Sequence, residues 1–185
     1  MAVWQFDQTH TSAGFTARHM MVTNVRGHFQ KVDGVLIYDP ENPNASSVEA
    51  TIHVKSLAST GVEQRDNHLL SPDFLDAENY PTITFKSTSV NVDGDEGVVT
   101  GDLTIRDVTR SVTLKVEKTG QLTNLSGQTV AGFSATTKFN REDFGLTWNM
   151  ALEAGGWLVG KEVKIEIEAE LILVNEPVTE STAAS

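Results

Sequence analysis

Apolar and polar residues alternate along most of this chain, in the period-two pattern of half-buried antiparallel strands. The clearest example is segment 163–171, where apolar residues alternate with lysine and glutamate. The same pattern runs through segments 48–54 and 112–116. Weaker versions lie near residues 12–20, 27–38, 82–91, 98–107 and 128–139. About eight short strands separated by turns predict an all-β fold, either a sandwich or a closed barrel.

Turn-forming residues separate these segments. Residues 39–44 read Asp-Pro-Glu-Asn-Pro-Asn and predict a loop, while residues 93–97 read Asp-Gly-Asp-Glu-Gly and predict a hairpin. The chain shows neither an internal repeat nor a boundary between domains, so we expect a single domain over residues 1–174. We predict that residues 175–185 form a disordered tail.

Residues 61–77 depart from strand alternation and predict a short helical insertion. Thr60 and Glu63 have the spacing of a capping box, in which each side chain satisfies a backbone N–H of the other. Ser71 followed by Pro72 has the pattern of a second helix start. We therefore expect two short helices that break near Ser71.

A carboxylate lies among the apolar residues of this predicted helix. Val62, Leu69 and Leu70 share one helical face, and Asp66 falls between them. His68 points away from that face. A buried carboxylate needs a partner because an unpaired charge is costly. The candidate partners are Arg18, His19 and Arg141. Either a buried ion pair pins the helix to the rest of the fold, or Asp66 contacts a ligand.

Composition narrows the class of function. The 185 residues contain no cysteine, which excludes thiol catalysis and cysteine-ligated zinc. A net charge of −11 argues against nucleic-acid partners, since binding of phosphates draws on lysine and arginine. No apolar run approaches the length of a membrane span, so stable membrane insertion is not expected. The first residues lack the features of a signal peptide, which predicts a cytoplasmic protein.

Signatures of metal or nucleophilic chemistry are missing from the sequence. The five histidines form no pair at metal-ligand spacing, so we predict neither a metal nor a cofactor. There is no Gly-x-Ser-x-Gly elbow and no glycine-rich phosphate loop followed by a helix. An enzyme therefore remains an alternative only through Asp66 acting with His19 or His68 on a lipid-like substrate.

The distribution of large apolar residues raises the question of a hollow interior. A closed barrel of about eight strands is just wide enough to be filled by side chains or to hold one slender ligand. Small residues at inward-type positions, namely Ala50, Gly101 and Ala135, leave room for such a ligand. A packed, solid core remains the other possibility, and with the acidic surface it would favour a protein-interaction module.

Several motifs carry a resemblance to a known family. One is Arg65-Asp66-Asn67-His68-Leu69. Others lie at residues 4–12, 25–29, 71–77, 80–88, 101–109 and 141–146. From about residue 4 to residue 173 the chain resembles the YceI family of polyisoprenoid-binding, lipocalin-like bacterial proteins. Many members of that family are periplasmic.

The resemblance implies an extended, eight-stranded antiparallel barrel with the helical insertion at 61–77. It also implies that the lumen holds an isoprenoid or fatty-acid-like lipid without turnover, as in a carrier, a store or a sequestering protein. The residues expected to contact the lipid are Phe15, Phe29, Leu36, Tyr38, Ile52, Leu69, Phe74, Phe85, Leu103, Ile105, Phe133, Phe144 and Trp148. The polar groups expected at a head group or in ion pairs are Arg18, His19, Arg65, Asp66, His68 and Arg141. Apolar residues such as Ile172 and Val174 on the barrel exterior are compatible with a homodimer.

Overall fold

The structure is a computed structural model and describes residues 1–175. In this part of the chain, strands dominate and a single α-helix interrupts them. The strands are β1 (Ala2–Phe6), β2 (Ser12–His19), β3 (Thr23–Phe29), β4 (Val32–Tyr38), β5 (Ser47–His53), β6 (Thr82–Asp93), β7 (Glu96–Ile105), β8 (Val108–Thr123), β9 (Thr129–Asn140) and β10 (Val159–Asn175). The helix α1 spans Glu63–Leu70. Short 3₁₀ turns lie at Pro43–Ala45, Val54–Ser56 and Arg141–Phe144.

The strands form one antiparallel sheet that closes on itself. Neighbours follow the order β1-β4-β5-β6-β7-β8-β9-β10, and β10 pairs again with β1. Strands β1 and β2 pair with different halves of β10, so they are two parts of one interrupted strand. Strands β3 and β4 pair with β2 and β1 in the same way. The barrel therefore has eight strand positions, and the predicted eight-stranded antiparallel barrel is confirmed.

The alternation read from the sequence corresponds to the inner and outer faces of the barrel wall. Along β10, Ile165, Ile167 and Leu171 face the interior, while Glu166 and Glu168 alternate with them. Strand β8 extends well beyond the predicted segment 112–116. The prediction was too short because the two ends of the strand are mainly polar and do not alternate. Strand β1 is too short to show the pattern and was not among the predicted strands.

One end of the barrel is closed by the connections that follow β5 and β9. Phe144 and Val54 are each only 1% exposed, and both belong to a buried cluster beneath the barrel. Leu70 at the end of α1 and Leu75 in the turn after it pack against that cluster. We call this region, formed by residues 54–81 and 141–158, the closed end.

The start of α1 differs from the capping box predicted from the sequence. The helix begins at Glu63, with Val62 at the cap position and no side-chain cap. Thr60 cannot serve as the cap because its backbone N–H and hydroxyl both bond to the Asp66 carboxylate. Val62 is 48% exposed and does not join the buried face assigned to it.

The predicted second helix is also wrong. Ser71 follows the last residue of α1, and its hydroxyl donates to the His68 carbonyl at 2.7 Å. The backbone N–H groups of Phe74 and Asp76 both donate to the Ser71 carbonyl, at 3.0 and 2.9 Å. These two bonds to one carbonyl form a turn over residues 72–75. The serine and proline therefore end one helix instead of starting another.

Within residues 1–175, no helix is long and apolar enough to cross a membrane. The predicted disordered tail at 175–185 lies, apart from Asn175 at the end of β10, outside the described residues.

Candidate functional site

The barrel encloses a cavity of ≈ 460 Å³. This volume lies in the range of about 300–1,000 Å³ that is typical of small-molecule sites. Its wall is formed by inward-facing side chains of the barrel strands, most of them aliphatic or aromatic. The described structure is thus a hollow barrel, which resolves the question of a filled or open lumen left by the sequence.

Most of the apolar residues selected from the sequence line this cavity. They are Phe15, Phe29, Leu36, Tyr38, Ile52, Phe85, Leu103, Ile105 and Phe133. Contact between these residues and a ligand stays a prediction. Of the three small residues expected to leave room, Ala50 and Ala135 line the cavity.

Gly101, the third small residue, makes room for an aromatic ring instead. A Cβ atom placed there would overlap Cζ of Phe85 and would lie 2.5 Å from the carbonyl oxygen of Lys86. Such contacts are too close, so only glycine fits at this position. The glycine lets the Phe85 ring lie flat on the neighbouring strand, a pairing that helps to hold aromatic side chains in place in curved sheets.

Leu69, Phe74, Phe144 and Trp148 do not line the cavity. They belong to the closed end, where the connections between strands pack beneath the lumen. Phe74 and Trp148 form an aromatic cluster with His68, whose ring centroid lies 4.9 Å from Phe74 and 4.5 Å from Trp148. His68 was expected to point away from the face that carries Val62, Leu69 and Leu70, and in the structure its ring packs against these two aromatic rings.

The cavity reaches the surface at the opposite end of the barrel, which we call the mouth. Its wall there includes Asp95 and Glu96 of the exposed β6–β7 hairpin and Lys118 and Gln121 of β8. The Lys118 ammonium donates to the side-chain oxygen of Gln121 at 2.9 Å. The mouth thus combines two acids with one lysine, beneath which the wall is mainly apolar.

The polar groups expected at the mouth lie instead at or beside the closed end. His19 is paired with Val159 at the start of β10, and Arg18 donates to the Val22 carbonyl at 3.3 Å. Arg65, His68 and Arg141 belong to α1 and the β9–β10 connection. Strands alternate in direction, so connections after β5 and β9 emerge at the same end of the barrel, away from the β6–β7 hairpin. A head-group role for these residues stays a prediction without geometric support.

Arg141 is a buried cation held by backbone carbonyls. The residue is 2% exposed, and its guanidinium donates to the carbonyls of Leu146, Trp148, Val159 and Gly160 at 2.5–3.3 Å. Burial lowers the pKa of this guanidinium below its usual value. The side chain fastens the connection 145–158 to the first residues of β10.

Asp66 finds local partners instead of a cation on another strand. Its carboxylate accepts from the Ser59 hydroxyl at 2.9 Å and from the Thr60 backbone N–H at 3.0 Å. The Thr60 hydroxyl and backbone bonds, with smaller contributions from Ser59 and the Arg65 charge, hold the pKa of Asp66 below its usual value. Arg65 in turn donates to the Thr60 hydroxyl and carbonyl, both at 2.8 Å. The ion pair predicted with Arg18, His19 or Arg141 is therefore replaced by a folded loop.

The acid and base of the alternative enzyme are not assembled as a pair. Asp66 bonds to Ser59 and Thr60, whereas His68 bonds to Asp73 at 2.9 Å. Neither group lines the cavity. The residues on which an enzyme hypothesis rested are thus engaged in the local structure of the closed end.

One group of side chains has the composition of a metal site. Ligand atoms of Asp7, His10 and Glu170 lie within 4.8 Å of one another on the outside of the barrel. His10 Nδ1 lies 2.8 Å from Asp7 Oδ2, and this bond raises the pKa of the exposed His10 and lowers that of Asp7. The hydrogen bond between Asp7 and His10 lies within the connection from β1 to β2 and explains why these side chains lie together.

Comparison with known proteins agrees with the hollow barrel. The model of the YceI-like domain family matches residues 4–171. This chain belongs to the YceI-like family. A UPF0312 protein of Staphylococcus epidermidis is 39% identical over 176 residues, covering 95% of this chain and all of that protein. A UPF0312 protein of Staphylococcus aureus is also 39% identical, over 92% of this chain and 97% of its own.

Solved structures share the fold of this YceI-like chain. The YCEI protein of Campylobacter jejuni is 30% identical, with a TM-score of 0.69 over 86% of this chain and 90% of that one. BcnA of Burkholderia cenocepacia is 24% identical, with a TM-score of 0.75 over 89% and 98%. A polyisoprenoid binding domain from Saccharophagus degradans is 14% identical, with a TM-score of 0.64 over 92% and 98%.

Three of the motifs that revealed the YceI-like family in the sequence lie at the closed end. Segments 65–69, 71–77 and 141–146 form the helix, the turns after it and the turn that carries Arg141. The cavity wall also includes Trp4, Phe6, Ile83 and Leu171, which sequence reasoning did not select as lining residues, although the first three lie in the motifs at 4–12 and 80–88. Alternation could not identify the first two, because β1 has only five residues and its Val3 is apolar.

Proposed function

We propose that this protein binds one long-chain lipid, of the isoprenoid or fatty-acid type, in the lumen of its barrel and holds it without turnover. The observation that carries the proposal is the ≈ 460 Å³ cavity with a mainly apolar wall, open at one end. The Saccharophagus degradans relative is a polyisoprenoid binding domain, which supports this class of ligand. The protein would act as a carrier, a store or a sequestering protein.

Burial of apolar surface supplies enough affinity for this role. Each buried methylene contributes about 0.8 kcal/mol, so roughly ten of them contribute about 8 kcal/mol before the costs of association. Aliphatic chains bind such a wall with little dependence on their chemistry, because the hydrophobic effect has no direction. The depth of the closed lumen therefore sets which chain lengths fit.

The two ends of the barrel orient the lipid. The closed end lies below the lumen, and Phe29 and Ile105, which line the cavity, belong to the same buried cluster as Phe144 and Val54 of the closed end. The mouth offers the polar side chains of Asp95, Glu96, Lys118 and Gln121. We expect the apolar chain to extend toward Phe29 and the polar end to remain near the mouth.

Solvent extraction of the protein purified from its native source, followed by mass spectrometry of the extract, tests the proposal. The expected result is a long-chain lipid at a ratio approaching one molecule per chain, absent from an extract of heat-denatured and washed protein. Refolded protein that takes up no long-chain lipid while its barrel is intact by circular dichroism would refute the proposal.

A further inference from the structure

The outward-facing positions of β10 change from charged to apolar along the strand. Those between residues 164 and 170 hold lysine or glutamate and alternate with residues of the cavity wall. The next two outward positions hold Ile172 and Val174, and Val174 is 54% exposed. A solvated face of an antiparallel sheet normally carries polar residues. Because β10 begins at the closed end, the departure from this pattern lies in the half of the barrel nearer the mouth.

Cross-strand pairing extends this apolar surface over five neighbouring strands. Val130 of β9 pairs with Ile172 of β10 and with Leu122 of β8. On the other side of β10, Val3 of β1 pairs with Ile37 of β4. Leu122 is 62% exposed and Ile37 is 39% exposed. Single exposed apolar residues are common, whereas a contiguous group marks a contact with a protein or a lipid surface. We call this surface the outer apolar band; it consists of Val3, Ile37, Leu122, Val130, Ile172 and Val174.

The β8–β9 hairpin continues the apolar surface beyond the rest of the rim. Its residues 123–129 project past the last pairs that these two strands make with β7 and β10. Leu125 at the tip is fully exposed. Oδ1 of Asn124 accepts from the backbone N–H groups of Ser126 and Gln128, both at 3.0 Å. Two backbone donors of the tip are thus paired within the hairpin, which lowers the cost of moving Leu125 out of water.

Charge distinguishes the two hairpins at the mouth. The β6–β7 hairpin has three acids within residues 93–96, whereas residues 119–137, which include the β8–β9 hairpin, contain no ionisable side chain. The net charge of the whole chain is −11, so an uncharged stretch of this length stands out. The mouth therefore has an acidic side and an uncharged side, and the outer apolar band begins on the uncharged side.

The side chains of the outer apolar band suit a lipid surface better than a protein partner. All six are aliphatic, whereas tryptophan, tyrosine and arginine supply most of the energy of binding between proteins. Gln5, which pairs with Ile172, adds a polar side chain without a charge. Binding to a lipid surface grows with the apolar area that is buried and requires no matching side chains.

The band lies on the outer side of the same wall that lines the lumen. Leu122 directly follows Gln121, and Ile37 lies between Leu36 and Tyr38; these three neighbours line the cavity. A lipid surface in contact with the band would therefore lie beside the rim of the mouth. A lipid molecule that moves from this surface into the lumen would have to cross only the rim.

We propose that the outer apolar band, together with Leu125, docks the mouth onto an uncharged lipid surface from which the lumen takes its lipid. This inference rests on the proposed lipid-binding function and adds the route by which the lipid enters. An anionic surface would be repelled by the net charge of the chain. Ile172 and Val174 are also the exterior residues that are compatible with a homodimer, so a second copy of this chain is the competing occupant.

Flotation of the full chain with vesicles of dioleoylphosphatidylcholine tests the docking surface. The wild-type protein is expected to float with these vesicles, and Leu122→Glu is expected to bind them at least about tenfold more weakly. Val62→Glu is the matched control, because Val62 is also exposed, at 48%, but lies at the closed end. It should bind the vesicles as the wild type does. Equal binding by Leu122→Glu and the wild type overturns the inference.

Vesicles of dioleoylphosphatidylglycerol test the requirement for an uncharged surface. At low ionic strength the wild-type protein should bind them more weakly than the phosphatidylcholine vesicles, because both partners are negatively charged. Tighter binding to the anionic vesicles overturns this part of the inference.

A fluorescent label provides a second readout that does not depend on a charged substitution. The chain has no cysteine, so Leu125→Cys can carry a single dye whose emission depends on the polarity of its surroundings. Phosphatidylcholine vesicles should shift this emission to shorter wavelength. The same dye on Val62→Cys should not respond. An unchanged emission at position 125, or equal shifts at both positions, overturns the inference.

Uptake of a fluorescent long-chain lipid from its cyclodextrin complex, without vesicles, tests the lumen separately. The wild-type protein and Leu122→Glu should take up this probe equally, because Leu122 faces away from the cavity. Uptake by a wild-type protein that does not bind vesicles overturns the docking inference and leaves the proposed function in place. No uptake by the wild-type protein refutes the proposed function itself. A wild-type dimer in sedimentation that Leu122→Glu dissociates, without binding to vesicles, assigns the band to a second copy and also overturns the inference.

Discussion

The two ends of this barrel satisfy their polar groups in opposite ways. At the closed end, the charged side chains are bonded within the chain: Arg141 to four carbonyls, Asp66 to Ser59 and Thr60, and His68 to Asp73. Toward the mouth, Asp95 and Glu96 are exposed to solvent, and the wall of the lumen beneath them is mainly apolar. Polar groups with complete sets of partners stabilise a fold, whereas an apolar wall is available to bury an apolar ligand. Under the proposed function, the closed end stabilises the fold and the lumen binds the lipid.

Among the substitutions that test this difference between the two ends, Arg141→Ala is expected to have the largest effect, and the effect is on stability. The change removes the side-chain donor of the Leu146, Trp148 and Gly160 carbonyls, whereas the Val159 carbonyl keeps its bond from Asn149, and each unsatisfied buried group costs about 1–3 kcal/mol. We expect the free energy of unfolding to fall by at least about 3 kcal/mol in urea titrations. Arg110→Ala is the control, since Arg110 is exposed, and should change stability by less than about 0.5 kcal/mol. Near-equal stability of the two variants would show that Arg141 does not hold the closed end.

The second-largest effect is expected on lipid affinity, from a substitution in the cavity wall that does not change the closed end. Ala135→Phe places a large ring in the cavity wall, whereas Thr136→Phe places the same ring on the neighbouring position of β9, which faces outward. We expect lipid affinity to fall at least about tenfold in Ala135→Phe and to change little in Thr136→Phe, because binding energy follows the apolar surface that the lumen can bury. Fluorescence titration with a long-chain lipid probe measures both. Equal affinity of the two variants would place the lipid outside the lumen.

The smallest effect is expected at Asp66, whose partners lie within its own loop. Its folded-state pKa lies below the usual 3.8, so its carboxylate contributes stability above that pH and loses it as the pH falls through the lowered pKa. Asp66→Asn should therefore melt at a lower temperature than the wild type at neutral pH, and the difference should shrink below about pH 4. Asp102→Asn, at an exposed position, provides the control. A difference that is constant from neutral to acidic pH would contradict the role assigned to the Thr60 bonds.

Much of the barrel wall could be predicted from the sequence because a strand with one buried face alternates. That pattern located β5, β8 and β10 and most of the aromatic residues that line the lumen. It could not locate Trp4, since β1 spans only Ala2–Phe6 and a strand this short gives too few alternations.

The errors at the helical insertion have one physical cause. Thr60 and Ser71 both have the sequence of helix caps, but each forms a different local hydrogen bond: Thr60 with Asp66 and Ser71 with the His68 carbonyl. Short polar side chains can satisfy several nearby backbone groups, so their sequence pattern does not fix which bond forms. The position of Arg65 and Arg141 relative to the mouth depended instead on the direction of each strand. Counting alternating strands would have placed both at the end opposite to the 93–97 hairpin.

Locating the end of a bound chain by anomalous X-ray diffraction tests the central claim most directly. The protein is crystallised with the methyl ester of a fatty acid that carries bromine on its terminal carbon, which keeps the polar end uncharged. The account predicts one bromine peak per chain inside the barrel, close to Phe29 and Ile105 above the closed end, with the ester near the mouth. A bromine peak at the mouth would reverse the orientation, and peaks found only on the outer surface would contradict binding in the lumen.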